Sequence, residues 1–283
     1  MKRPMRVDSN VSPLVPNGVN AVALANITCT FQGARKHASY TAVREATLQV
    51  GDGEFVVVVG PTGCGKSTLL NVAAGLLAPS RGTVQVFGEP LRGLNRRAGY
   101  MFQSDALLPW RTALDNVALG LEYRGVRRRQ AIERASAWLQ RVGLAAHGDK
   151  YPHQLSGGMK KRVSLAQMLV VEPDILLMDE PFSALDVQTR QLMENELLQI
   201  WSENKKTVIF VTHDLEEAIS LADRVVVLAA GPETRPIADF SIEIPRPRDV
   251  TEIIHSPLYL KTHGMIWSAL KDEVLRSYER SRA

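Results

Sequence analysis

The segment Gly60-Pro61-Thr62-Gly63-Cys64-Gly65-Lys66-Ser67 has the spacing G-x-x-x-x-G-K-[ST], and residues of these types in this order suit the holding of a polyphosphate. The glycines let the backbone curl so that successive N–H groups point inward at phosphate oxygens. A helix beginning at Lys66 adds the partial positive charge of its N-terminus. The Lys66 amine would reach the β- and γ-phosphates, the Ser67 hydroxyl would ligate Mg2+, and Thr68 continues the same turn. A chance match somewhere in a chain of this composition is roughly 0.5%, so a plain glycine-rich turn is the weaker reading.

Two further groups share this chemistry. The apolar run Asp174-Ile175-Leu176-Leu177-Met178 ends in the carboxylates Asp179 and Glu180. At a strand end Asp179 can hold a Mg2+ shell, and Glu180, one residue on, can polarise water. Leu155-Ser156-Gly157-Gly158-Met159 precedes a helical pattern with Met159, Val163, Ala166 and Val170 on one face. Ser156 can cap that helix, and Gly157 and Gly158 offer N–H groups to an anion. Singly, an acidic strand end is often just solvated and a Ser-Gly-Gly start is often a plain cap; their weight comes from occurring beside a phosphate loop.

These groups need a frame to hold them. Glu54 to Val59 is apolar without alternation, which is how a strand covered on both faces reads, and Leu69, Leu70, Ala73, Ala74 and Leu77 predict a helix from Lys66 to Ala78, stopped by Pro79. Strand, glycine turn and helix make half of a βαβ unit. Short alternating runs at 22–30 and 41–50 flank the polar insert 32–39 and predict a hairpin-like edge sheet, with a further hairpin-like piece at 83–87. Beyond it the pattern reads as helical: Thr112 begins a capping box ahead of Leu114, Val117, Ala118 and Leu121, ending at Gly125, and Ile132, Ala135, Leu139 and Val142 form a stripe that Gly143 ends. Strand-like runs at 175–178, 208–211 and 225–228 alternate with helical patterns at 192–201 and 215–221, which predicts a parallel sheet covered on both faces. Ser256-Pro257 suits the start of a last helix carrying Ile266, Leu270 and Val274.

Composition narrows the class further. The 283 residues, 45% hydrophobic and 23% charged, supply an ordinary globular core, and a formal charge of +4 is too mild to argue for nucleic acid or a membrane surface. Two cysteines, Cys29 and Cys64, argue against a disulfide framework or structural zinc, and His37, His147, His153, His255 and His263 lack metal-ligand spacing. Asp8, Asn10, Pro13 and Pro16 interrupt any export signal, and no stretch approaches the roughly 18–20 apolar residues of a membrane span. The chain is therefore expected to stay soluble and to meet a membrane only through a partner.

In order and spacing these motifs make the chain resemble the ATP-binding cassette family of transporter ATPases over about residues 20–230. Besides the phosphate loop, the signature at Leu155–Met159 and the acidic pair, the family's Q-loop residue is matched by Gln103 in Tyr100-Met101-Phe102-Gln103, its D-loop by Ser183-Ala184-Leu185-Asp186, and its switch histidine by His213. The resemblance implies a P-loop NTPase α/β core with a mostly parallel sheet, an antiparallel β subdomain and an inserted α-helical subdomain. It implies residues 1–20 as a flexible arm, 21–231 as the ATPase domain with the helical subdomain near 105–168, and 232–283 as a short extension with a terminal helix. It further implies a head-to-tail homodimer around two ATP molecules, with Mg2+ held by Ser67, Gln103 and Asp179, Glu180 as general base, and His213 placing the γ-phosphate and water. Ser156 and Gly158 of the second copy would contact that phosphate. An aromatic residue before the phosphate loop would stack on adenine, and Phe31 fits that slot, with Tyr40 as the alternative.

The match is not uniform. Met159 stands where many members carry Gln, and Lys160, Lys161 and Gln167 replace a more usual Arg-Gln and Arg, which puts in doubt any ion pair from position 167. Within the family, Ala106-Leu107-Leu108-Pro109-Trp110-Arg111, Leu119-Gly120-Leu121-Glu122 and Ala222-Asp223-Arg224-Val225 resemble the nitrate, sulfonate and taurine importers. That branch implies a peripheral subunit on the cytoplasmic face of the membrane, bound to permease subunits and served indirectly by an extracytoplasmic solute-binding protein. The alternatives are a cassette ATPase acting on nucleic acid or the ribosome, a role for which the sequence has no heptads or zinc cysteines and no nucleic acid is expected, and the ATPase of an exporter. Arg127-Arg128-Arg129 reads as a solvated helix start first and a contact with anionic lipid headgroups or a partner second, and Cys64 as a small residue first and an alkylation site second.

Overall fold

The computed structural model describes residues 19–32 and 39–282. Most of the arm assigned to 1–20, the greater part of the insert at 32–39, and His37 lie outside the described residues. Two sheets organise the chain. The first is antiparallel, in the order β2-β1-β4-β5, from β1 (Asn20–Gln32), β2 (Ser39–Gly51), β4 (Arg81–Val86) and β5 (Glu89–Pro90). The second runs β10-β9-β3-β8-β7-β6, from β3 (Phe55–Val59), β6 (Ala98–Met101), β7 (Ile175–Asp179), β8 (Thr207–Thr212), β9 (Arg224–Leu228) and β10 (Pro236–Ser241). All its pairings are parallel except that of β10, which closes one edge antiparallel to β9.

The central strands are apolar without alternation because each feeds two cores. Phe55, Val57 and Val59 of β3 point to one side and Val56 and Val58 to the other, as period-two geometry requires. The first core is covered by α5 (Val187–Glu203), α6 (Leu215–Leu221), α7 (Val250–Ile253) and α8 (Pro257–Arg282). The second holds α1 (Lys66–Ala73) between the two sheets. A third apolar cluster belongs to α2 (Ala113–Tyr123), α3 (Arg128–Arg141) and α4 (Gly157–Leu169), which lie in the chain between β6 and β7. Thr112 caps α2 through the Asp115 amide, and Gly125 and Gly143, both at positive φ, follow the ends of α2 and α3.

Three expectations need correcting. The first helix stops at Ala73 rather than Ala78, because the chain reverses at Gly75, where φ is +69° and a Cβ would fall 2.0 Å from the Gly93 carbonyl oxygen. The stretch after the second hairpin is not helical throughout: Ala-Gly-Tyr-Met forms β6, paired in register with β7 from Ala98↔Ile175 to Met101↔Met178. Its glycine, which weakens any strand reading of the sequence, is required because a Cβ at Gly99 would stand 2.7 Å from the Met168 side chain. On the last helix Ile266 and Leu270 are buried, but Val274 is on the exposed side.

Candidate functional site

Four neighbouring parallel strands, β3, β8, β7 and β6, end on the same side of the sheet, and each delivers a chemically active residue just past its carboxyl end. β3 runs into Gly60–Ser67, β8 into His213, β7 into Asp179 and Glu180, and β6 into Gln103. The parallel register sets adjacent strands about 4.8 Å apart, so residues 77 and 112 positions apart in sequence, Gln103 with Glu180 and Ser67 with Asp179, meet within side-chain reach.

The phosphate loop has the backbone that its glycines allow. Gly63 and Gly65 sit at φ +75° and +117°, and Gly65 is the N-cap of α1 with no side-chain cap, leaving the first amides of the helix without one. Lys66 is buried, and its amine donates to the carbonyl oxygens of Gly60 (2.9 Å) and Pro61 (3.1 Å) and lies 3.6 Å from a Glu180 oxygen. Cys64 is 2% exposed, and burial pushes its thiol above the ordinary range, so it packs as a small residue, the first of its two sequence readings, and the second, an alkylation site, is not supported. The turn at 229–234 supports the loop from behind: Gly231 lies against the Cys64 backbone and Thr234 against Gly65. α8 holds that turn, with buried Glu273 accepting from the Ala230 amide and Arg280 donating to the Gly231 carbonyl.

Ser67 Oγ donates to Asp179 Oδ1 at 2.9 Å. Burial raises the Asp179 carboxyl above the usual range, against the opposing hydrogen bond from Ser67, and the same carboxylate together with burial pushes the Tyr100 phenol upward. A hydroxyl, a half-buried carboxylate and the nearby Gln103 amide form a hard oxygen donor set of the kind Mg2+ prefers, and a divalent cation would relieve the burial cost on Asp179. Among the described residues no cluster of three or more His, Cys, Asp or Glu side chains is placed to hold a metal, and Mg2+ commonly uses only one or two carboxylates with phosphate and water.

Glu180 lies at the centre of the remaining contacts. One oxygen faces Lys66; the other is 3.0 Å from His213 Nδ1 and 3.4 Å from Gln103 Nε2. Its backbone occupies the left-handed region at φ +42°, rare for a non-glycine residue, and its amide is bonded to the Val211 carbonyl at the end of β8. The sequence gives no signal of this twist, which turns the carboxylate off the strand line toward the loop. His213 is half exposed, and Asp214 beside it caps α6 and pairs with Arg190.

The signature residues are elsewhere. Ser156 accepts from the Met159 amide and caps α4, with Gly157 exposed and Gly158 half-buried beside it. These residues abut the start of α5: a Cβ at Gly158 would meet the Thr189 side chain at 2.8 Å, and one at Gly157 would meet Leu185. Asp186, held below the usual carboxylate range by the Thr189 amide and hydroxyl, caps α5 there. No hydrogen bond or ion pair among the described residues joins Ser156, Gly157 or Gly158 to the phosphate loop. Phe31 and Tyr40 face one another across β1 and β2, both partly exposed, so both rings lie on one face at the hairpin mouth. Ala42, two residues past Tyr40, brings its carbonyl against Gly65.

Sequence reading missed Lys161. It is 3% exposed on α4, donates to the Gln103 carbonyl oxygen at 2.7 Å and pairs with Asp105 at 3.2 Å. Its signal was the departure from the family pattern just after Leu155–Met159.

Comparison with known proteins agrees with this geometry. A family model described as ABC transporter matches residues 43–183. An uncharacterized ABC transporter ATP-binding protein of Methanocaldococcus jannaschii is 48% identical over 236 residues, 83% of this chain and 86% of its own length. The taurine import ATP-binding protein TauB of Pseudomonas aeruginosa is 43% identical over 241 residues (85% and 91%), and the bicarbonate transport ATP-binding protein CmpD of Synechocystis is 41% identical over 240 (84% and 84%). A dimeric ATP-binding cassette solved in a post-hydrolysis state with ADP and Pi is 31% identical, with a TM-score of 0.70 covering 78% of this chain and 99% of that one.

Proposed function

The chain belongs to the ABC transporter family, and on that premise we propose that it is the ATP-hydrolysing subunit of an importer of a small anionic solute, acting on the cytoplasmic face of the membrane. The observation that carries this reading is the division of the site. Loop, carboxylates, histidine and glutamine converge at four strand ends, while the signature end of α4 is an exposed helix N-terminus with no bond to them. A helix N-terminus with no acidic side chain in its first turn suits the phosphate of a second copy, and head-to-tail pairing of two copies would complete both sites. The dimeric cassette with ADP and Pi supports that arrangement, and the taurine and bicarbonate relatives support a small solute that carries an anionic group.

In this mechanism the Gly60–Gly65 amides and Lys66 bind the triphosphate, with Phe31 stacking on adenine and Tyr40 as its alternative. Ser67, Asp179 and Gln103 would hold Mg2+, which when bound would offset phosphate charge during transfer. Glu180 accepts the proton of the attacking water, and His213, bonded to the same carboxylate, keeps it directed at the γ-phosphate. Ser156 and Gly158 from the second copy donate to that phosphate. The permease would dock in a cleft of about 710 Å3 beside Gln103, walled by Leu76, Leu94, Tyr100, Phe102 and Tyr123, several of them exposed apolar side chains. No helix among the described residues is long and apolar enough to cross a membrane, so the transmembrane path is assigned to separate subunits.

Co-purification of the chain expressed from its own locus tests the reading. A hydrophobic permease, with a solute-binding protein encoded beside it, is the expected companion. Recovery of nucleic acid or ribosomes would overturn the assignment, and a permease without any binding protein would redirect it to export.

A further inference from the structure

The loop that follows β6 has little of its own to hold it. Residues 102–106 are all exposed, and the next buried side chain is Leu107. Among the described residues, Phe102 rests on Tyr100, the Gln103 amide reaches Glu180 at 3.4 Å, and the other polar bonds of residues 102–106 both come from Lys161. That ammonium is almost wholly buried, a position that costs heavily unless the charge is paired and hydrogen-bonded. It is both, and both of its partners, the Gln103 carbonyl and the Asp105 carboxylate, belong to this loop.

Among the described residues, Lys161 therefore joins two parts of the site that no other polar bond connects. On one side Gln103 contacts Glu180, which contacts Lys66 and His213. On the other, Lys161 stands five residues past the Ser156 cap on one continuous helix, and a helix of this length moves as a rigid body. We propose that Lys161 is a positioning residue that couples the two nucleotides of the dimer: engagement of one copy's Gln103 and Glu180 sets, through Lys161, the stance of the α4 end that meets the other copy's phosphate. The inference rests on the two-copy reading above. Lys161 itself touches neither nucleotide in this scheme; it fixes the distance between a loop that senses one and a helix that binds the other.

The test uses the full-length chain and compares Lys161→Met, which keeps the length of the side chain without its charge, with Asp105→Asn on the exposed loop, where folding is not at stake, and with Lys161→Arg, which keeps a charged donor. ATPase rate is followed against ATP concentration, and nucleotide affinity is measured separately with a fluorescent ATP analogue. The wild type is expected to show a Hill coefficient between 1 and 2, the bound for two sites. In Lys161→Met the coefficient falls to 1 and kcat drops about tenfold, with a smaller drop in Asp105→Asn, while nucleotide affinity stays within about twofold and Lys161→Arg retains cooperativity. A Hill coefficient unchanged from wild type in both Lys161→Met and Asp105→Asn overturns the coupling role, as does a coefficient of 1 in the wild type. So does a loss in Lys161→Met of thermal stability and rate alone at constant cooperativity, the mark of a merely structural ion pair. Nucleotide-dependent dimerisation in a Glu180→Gln background reads the two-copy premise by itself, so its failure is distinguishable from failure of the coupling.

Discussion

Replacing Glu180 with Gln separates binding from chemistry at this site. The side chain keeps its length and its amide oxygen can still face His213 Nδ1, while Lys66 keeps the Gly60 and Pro61 carbonyls as acceptors, so the packing of the pocket is retained. What disappears is a negative charge and a base. Loss of a general base typically slows a reaction by about 10²–10⁴-fold, equivalent to roughly 2.7–5.4 kcal/mol at about 1.36 kcal/mol per decade. The electrostatic effect on binding has the opposite sign. A carboxylate a few ångströms from a triphosphate repels it by an amount of order 4 kcal/mol at an effective dielectric constant near 20, before counterions and Lys66 screen it, so affinity for ATP should hold or improve. Phosphate release measured under single-turnover conditions gives the first quantity, and fluorescent-nucleotide titration the second. A single-turnover rate within about threefold of wild type would refute the base assignment; a tenfold loss of affinity would show that Glu180 contributes to binding instead.

Other outcomes follow from the same geometry. Lys66→Ala removes a buried amine at the base of the loop and should weaken nucleotide binding at least about tenfold, or roughly 1.4 kcal/mol, in the same titration. Gln103→Ala keeps the carbonyl that Lys161 holds but removes the amide that ties Glu180 to the loop whose Phe102 walls the proposed docking cleft, so transport in reconstituted vesicles should fall more than basal ATPase activity; equal losses would remove Gln103 from coupling. Glu194, buried on α5 beside Glu217 and Asp214, is pushed up to about 8, chiefly by burial. Because its folded value lies above the unfolded one, the native state holds the extra proton, and stability present at low pH is lost as pH rises from near 4.5 through about 8. Glu194→Gln should therefore raise the melting temperature more at pH 9 than at pH 6, and an equal shift at both pH values would contradict the assignment of a buried, proton-holding carboxyl.

Much of the frame was legible because its determinants are local. Continuous apolar runs mark β3, β7, β8 and β9, since strands buried on both faces have no polar side to show. Caps at Thr112 and Ser156 and glycines at 125 and 143 mark helix ends for equally local reasons. What escaped was set by packing across the chain. β6 is a strand because β7 pairs with it and Met168 leaves room only for a glycine, and α1 ends where Gly93 crowds Gly75. In the site, Lys66, Ser67, Asp179 and Glu180 could be named from motif spacing, yet the left-handed backbone of Glu180 depends on its bond to β8. The value of Lys161 depends on a loop fifty-eight residues away in sequence, so no window around α4 contains it.

The most direct test of the account is the mass in solution of the Glu180→Gln chain. With ATP and Mg2+ together, light scattering should give twice the monomer mass, and the dimer should dissolve when nucleotide is removed or when Ser156, the exposed cap of α4, is replaced by a bulky residue. A strictly monomeric mass at saturating nucleotide would contradict the claim that each copy supplies the part of the pocket the other lacks.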